Sequence, residues 1–187
     1  MRLKSLLLLF LLIPLFLFAQ GNMLEDYQKK YFSEELGFEL DTIINPLMYN
    51  TVVDWLSTKY HYGGKNKKGV DCSSFVSAVY DSAFHVSLSG SSGLMFKQDV
   101  VQVAKEELKE GDLLFFKIRR KRISHVGIYL GHNKFVHATR AVGVVVSDLS
   151  EPYYKKYFYS AGRHKSFVQK EIPNATSSNP NPEPCSD

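Results

Sequence analysis

Gly69-Val70-Asp71-Cys72-Ser73-Ser74-Phe75-Val76-Ser77-Ala78-Val79-Tyr80 is the stretch on which the rest of the chain turns. Asp71 is a good helix cap, because its short carboxylate can accept from unpaired amides of a first turn. The spacing predicts a helix from Cys72 to about Phe84. Phe75, Val76, Val79 and Tyr80 fall at i, i+1, i+4 and i+5 and form one apolar face. Cys72 then sits in the first turn, where the helix dipole and free N–H groups favour an anion. That position predicts a lowered thiol pKa and offers the Cys72 amide to a developing oxyanion. The competing reading is a buried structural cysteine. Cys72 lies close to the Phe75–Val79 face, so helical phase alone does not separate the two.

A thiolate chemistry needs a base, and six histidines compete for that place. His61, His85, His132 and His164 stand in loop-like contexts and read as solvated surface residues. His125 differs: it opens the apolar run Val126-Gly127-Ile128-Tyr129-Leu130, which reads as a strand. His137 ends a second run, Phe135-Val136. The turn Gly131-His132-Asn133-Lys134 joins the two as a hairpin, in a register that brings His125 and His137 together. Two such histidines with a cysteine suggest zinc, but a fourth ligand is not evident. No metal and no cofactor is expected.

Upstream, Asn45-Pro46 opens a helix, Asn45 as cap and Pro46 in the first turn, which should end near Thr58. Residues 22–40 are polar and aromatic without clean periodicity and read as an arm. Leu94 to Leu108 looks partly helical, up to the turn Glu110-Gly111-Asp112. Beyond it the period changes to short β-branched and aromatic runs at Asp112–Phe116, His125–Leu130, Lys134–His137 and Val144–Val146, with a last run at Tyr159–Arg163. Tyr153–Tyr159 reads as an aromatic sheet covering. Helices first and a strand meander after predict an α+β domain, N-terminal helices packed on an antiparallel sheet of about five strands.

The ends bound the rest. Arg2 and Lys4, an apolar run from Leu6 to Phe18 and the small residue Ala19 read as a secretory signal peptide over 1–19, too short for a membrane span. Its removal lowers the net charge from +4 to +2, which argues against nucleic acid. The two cysteines of an exported chain invite a disulfide. Cys185, however, follows the polar Pro-rich stretch Asn174–Pro184, which reads as disordered, and pinning it to a helix start has little purpose. Asn174-Ala175-Thr176 reads as a chance glycosylation triplet. The expected organisation is signal peptide 1–19, arm 20–44, one catalytic domain 45–166 and a polar tail 167–187, acting as a monomer in the periplasm or outside the cell.

Five blocks in order resemble the NlpC-type cell-wall cysteine peptidases: Tyr60-His61-Tyr62-Gly63-Gly64, Gly69–Val76, Gly111-Asp112-Leu113-Leu114-Phe115-Phe116, Ser124–Gly131 and Phe135-Val136-His137-Ala138. The usual family wording Ser-Gly-Phe after the cysteine stands here as Ser73-Ser74-Phe75. The resemblance implies a papain-like core with Cys72 as nucleophile, His125 as base and His137 as the residue orienting it. Tyr60 matches the family tyrosine near the thiol; Asp71 and Ser73 match positions that in some members hold a substrate's free amine. The implied reaction is hydrolysis of peptidoglycan stem peptides between γ-D-glutamate and the diamino acid. Alternatives are a papain-like amidase of other specificity and a non-catalytic cell-wall-binding module. Lys117-Ile118-Arg119-Arg120-Lys121-Arg122 reads either as a solvated turn or as a contact to anionic wall polymer or a membrane surface.

Overall fold

The computed structural model describes residues 23–119 and 121–171. The signal-peptide reading, Cys185 and the Asn174 triplet lie outside them. Helix α1 (23–36) is followed by α2 (Pro46–Trp55), the small hairpin β1 (Lys65–Asn66) and β2 (Gly69–Val70), and α3 (Cys72–Phe84). A short helix α4 (Ser92–Leu94) runs on through one wider π-type turn, Met95–Asp99, into β3 (Val100–Val103). Then come β4 (Leu113–Phe116), β5 (His125–Gly131), β6 (Lys134–Thr139), β7 (Gly143–Asp148), α5 (Pro152–Tyr157), β8 (Phe158–His164) and α6 (Lys165–Glu171). Strands β3 to β8 form one sheet of order β3-β8-β4-β5-β6-β7, with every neighbouring pair antiparallel.

Helix α3 follows the sequence closely. Asp71 Oδ1 accepts from the Ser74 amide at 2.8 Å, and His85 closes the helix in the left-handed region at φ 55°. Phe75, Val76, Val79 and Tyr80 are all fully buried. They pack on Leu113, Phe115, Val126, Ile128, Leu130, Val136 and Ala138 of the sheet. Asn45 caps α2 through Met48 N, with Pro46 in its first turn. The opposite sheet face carries Leu114, Phe116, Phe135, Leu149 and Ala161. Pairing of Phe116 with His125 and of Leu114 with Gly127 puts His125 on this second face, at the start of its strand.

The structure departs from the sequence reading in three places. The sheet has six strands: β3 lies inside the stretch expected to be partly helical, and Val100, Val101 and Val103 pair with β8 instead, since β-branched side chains suit a sheet edge. The residues read as an arm form α1, with Phe32, Leu36 and Leu40 buried in the main core and Phe32 stacked on Tyr49 at 5.5 Å. Phe167 of α6 packs against Phe84 at 5.0 Å and Tyr80 at 6.1 Å, so the ordered chain runs past residue 166.

A buried ion pair ties β8 to the head of β4. Arg163 Nε and Nη2 donate to the two oxygens of Asp112, both at 2.9 Å, and Nη2 also reaches the Glu107 carbonyl. Removing one partner would strand a charge that is out of water.

If α1 belongs to the core, Phe32→Ala should cost about 3–5 kcal/mol of stability. Tyr27→Ala, whose side chain is 70% exposed, should stay within about 0.5 kcal/mol. Urea unfolding of both variants checks this; equal, small effects would detach α1 from the fold.

Candidate active site

Cys72, His125 and His137 line one cleft of about 1360 Å³, together with Tyr60, Asp71 and Ser73. Each arrives on a different element. Cys72 is the first residue of α3 and carries a free thiol. His125 begins β5 and His137 lies in β6. The histidines meet at 2.7 Å, Nε2 of His125 to Nδ1 of His137. All six residues singled out in the sequence therefore converge.

The cleft contains more than the sequence reading found. His137 Nε2 lies 2.9 Å from Ser147 Oγ and 3.2 Å from the Tyr154 hydroxyl, and Ser147 Oγ donates to that hydroxyl at 3.3 Å. One proton arrangement satisfies the whole chain: His125 Nε2–H to His137, His137 Nε2–H to Ser147, Ser147 to Tyr154. It leaves Nδ1 of His125 as an acceptor. The signal for Ser147 was a hydroxyl following three valines in β7. Tyr154 was hidden in an aromatic cluster that also packs on Phe116 at 5.9 Å and Phe135 at 5.0 Å.

Gly127 sets how closely the histidine strands approach. A Cβ there would come within 2.8 Å of the Phe135 ring, 2.9 Å of the Val136 carbonyl and 3.1 Å of His137 Cβ. No side chain fits without moving Phe135 and the Val136 backbone, the residues that lead into His137.

Electrostatics correct one expectation. Burial pushes the Cys72 thiol up to about 11, with the Asp71 charge adding to the rise, although the amides of Val126, Ser73 and Cys72 favour its anion. The helix N-terminus is present, but desolvation outweighs it. Burial lowers His125 to about 4, and His137 is lowered well below its ordinary value by burial and by His125. Both shifts favour neutral imidazoles, the form used in the proton arrangement above.

Asp71 is committed to structure: Oδ1 accepts from Ser74 N and Ser73 Oγ, Oδ2 from Gly63 N. Tyr60 lies beside it, its hydroxyl pKa raised chiefly by burial, with the Arg140 side chain hydrogen-bonded to it. The remaining histidines lie away from this network; His132 instead pairs with Asp41 at 2.9 Å. Among the described residues no group of three His, Cys, Asp or Glu side chains could hold a metal ion. No helix there is long and apolar enough to cross a membrane.

Residues 57–163 match the NlpC/P60 family. The chain belongs to this family. Over 112 residues it is 39% identical to a protein of Escherichia coli K12 called murein DD-endopeptidase MepS/murein LD-carboxypeptidase, covering 59% of the chain and 57% of that protein. The chain thus spans little more than half of that relative. A probable endopeptidase of Haemophilus influenzae is 34% identical over 150 residues, 80% of the chain and 91% of that protein. Among solved structures, an NlpC/P60 family protein from Bacillus cereus superposes with a TM-score of 0.59 at 28% identity, covering 68% of this chain and 43% of that one. The fold is the papain-like one of that family.

Two outcomes follow. A histidine with a depressed folded pKa contributes stability that is present above its unfolded value near 6.5 and is lost as pH falls toward the folded value. For His125 the window runs from about 6.5 down to about 4, and the loss approaches about 3 kcal/mol. Urea midpoints at pH 7 and pH 4.5 should show it, with a smaller fall in His125→Gln. Gly127→Ala should cut activity at least about tenfold while the protein stays folded at 25 °C, since small displacements at a site are costly; unchanged turnover would remove Gly127 from the site's geometry.

Proposed function

We propose that the protein is an exported cysteine endopeptidase that hydrolyses peptidoglycan peptides, with Cys72 as nucleophile, His125 as base and His137 orienting it. The observation that carries this reading is the single cleft holding a helix-terminal thiol and a strand histidine whose far nitrogen is fixed by a second histidine. With Nε2 of His125 engaged by His137, Nδ1 is the nitrogen that takes the thiol proton. The resulting thiolate and imidazolium attract one another, which offsets part of the cost of each buried charge. The thiolate then attacks the peptide carbonyl carbon, and the oxyanion that forms finds the Cys72 amide. Collapse breaks the C–N bond as His125 returns its proton to the leaving amine. Water, deprotonated by His125, hydrolyses the thioester and frees the thiol. Ser147 and Tyr154 act at one remove, by holding His137.

The family resemblance supports cleavage between γ-D-glutamate and the diamino acid, with Tyr60 near the thiol and Asp71 and Ser73 near the peptide's free amine. A second bond has its own support: the Escherichia coli relative is named a DD-endopeptidase and LD-carboxypeptidase, which points to amides on the far side of the diamino acid. The name of the relative also supports a cell-wall location.

Mass spectrometry of peptidoglycan fragments incubated with the protein and with Cys72→Ala tests both. We expect cleavage by the first and a loss of at least about 1000-fold in the second. Product masses assign the bond. Fragments left intact by protein with a titratable thiol would leave wall binding as the better reading.

A further inference from the structure

Charge is distributed very unevenly about this cleft. Lys97, Lys117, Arg119, Lys121, Arg122 and Arg140 line it, against the single carboxylate of Asp71, and that carboxylate is already spent on the cap of α3 and its neighbours. The whole chain has a net charge of only +4. Elsewhere cations meet carboxylates, as in Lys134 with Asp148 or Lys67 with Asp54. Among the described residues no carboxylate pairs with the six in the cleft. Two of them rest on aromatic rings instead: Lys117 Nζ lies 3.4 Å from the centroid of Tyr159, and the Arg140 guanidinium 5.7 Å from that of Tyr60. These contacts hold the cations in place without neutralising them.

Five of the six fall on two walls. Arg140 stands in the turn between β6 and β7, three residues after His137, and lies beside Tyr60. The others, apart from Lys97, belong to the loop between β4 and β5 that leads into His125. A solvated surface turn would not need its cations to face the same concavity as an arginine from another hairpin.

We infer that the cleft selects acidic peptides, and that Arg140 holds a substrate carboxylate next to the scissile amide while the β4–β5 loop attracts further carboxylates along the chain. The inference rests on the proposed peptidase reading and names the chemical feature of the substrate that it selects. A planar guanidinium suits a carboxylate because two N–H groups can donate to its two oxygens. The loop cations act mainly through long-range attraction and speed encounter.

The test compares two synthetic stem peptides of identical length, one with free carboxylates and one with every carboxylate converted to carboxamide. For the acidic peptide, we expect Arg140→Gln to raise KM about tenfold with little change in kcat, and Arg140→Lys to recover part of the loss. Both variants should lower kcat/KM for the amidated peptide far less than for the acidic one. Lys121→Gln/Arg122→Gln should instead flatten the salt dependence of kcat/KM for the acidic peptide. Equal losses on both peptides, or none on either, would overturn the inference. Binding to Cys72→Ala protein, followed by calorimetry, keeps the two questions apart. Preference for the acidic peptide there supports carboxylate selection even if neither peptide is cut, an outcome that would count against the peptidase reading alone. Equal binding of the two peptides with salt-sensitive binding to anionic vesicles would move the cations to a membrane role and refute the inference.

Discussion

Burial of one face of α3 against β5 and β6 is the constraint from which the rest of the structure takes its geometry. Phe75, Val76, Val79 and Tyr80 are removed from water together, each contributing on the order of 2 kcal/mol. Their contacts fix the rotation of the helix about its axis and hence where its first residue points. Tyr80 adds a direct tie, its hydroxyl donating to the Gly111 carbonyl at the turn before β4. Tyr49 of α2 does the same to the Leu130 carbonyl. The placement of Cys72 thus depends on a packing interface that begins three residues beyond it.

The sheet side is set by different means. Gly127 lets β5 and β6 close on each other where any side chain would hold them apart, and the histidines meet at hydrogen-bonding distance. The Asp112–Arg163 pair fastens the strand adjacent to β5. Such a pair adds little net stability over an apolar replacement, yet it matches the register in which Leu113 lies opposite Gly162. Stability comes mainly from the apolar layers, and the polar pair restricts which arrangement they stabilise.

Legibility in the sequence followed the locality of the physics. Helix α3 could be read because its cap, its period and its buried face lie within a dozen residues. The β5–β6 hairpin was readable for the same reason, its turn residues standing between two apolar runs, and that alone predicted the approach of His125 to His137. Strand β3 was missed because its partner, β8, lies some sixty residues away and Val101 at 45% exposure gives no clean alternation. Helix α1 was missed because only Phe32 and Leu36 mark its buried side; its other large apolar groups, Met23, Leu24 and Tyr27, face solvent. Ser147 and Tyr154 gain their meaning from His137, which neither one neighbours in the chain. The raised thiol pKa is the deepest case, since helix polarity is written locally and desolvation is a property of the finished cleft.

The thiol and its imidazole are supplied by separate layers, one helical and one pleated, which meet only through contacts between distant parts of the chain. Neither hydrogen bonds within α3 nor those within the β5–β6 hairpin bring them together. A nascent or partly unfolded chain thus carries an ordinary cysteine and an ordinary histidine, each titrating near its solvent value. The proposed reactivity requires the α3–sheet interface, and opening that interface would extinguish it well before the secondary structure is lost.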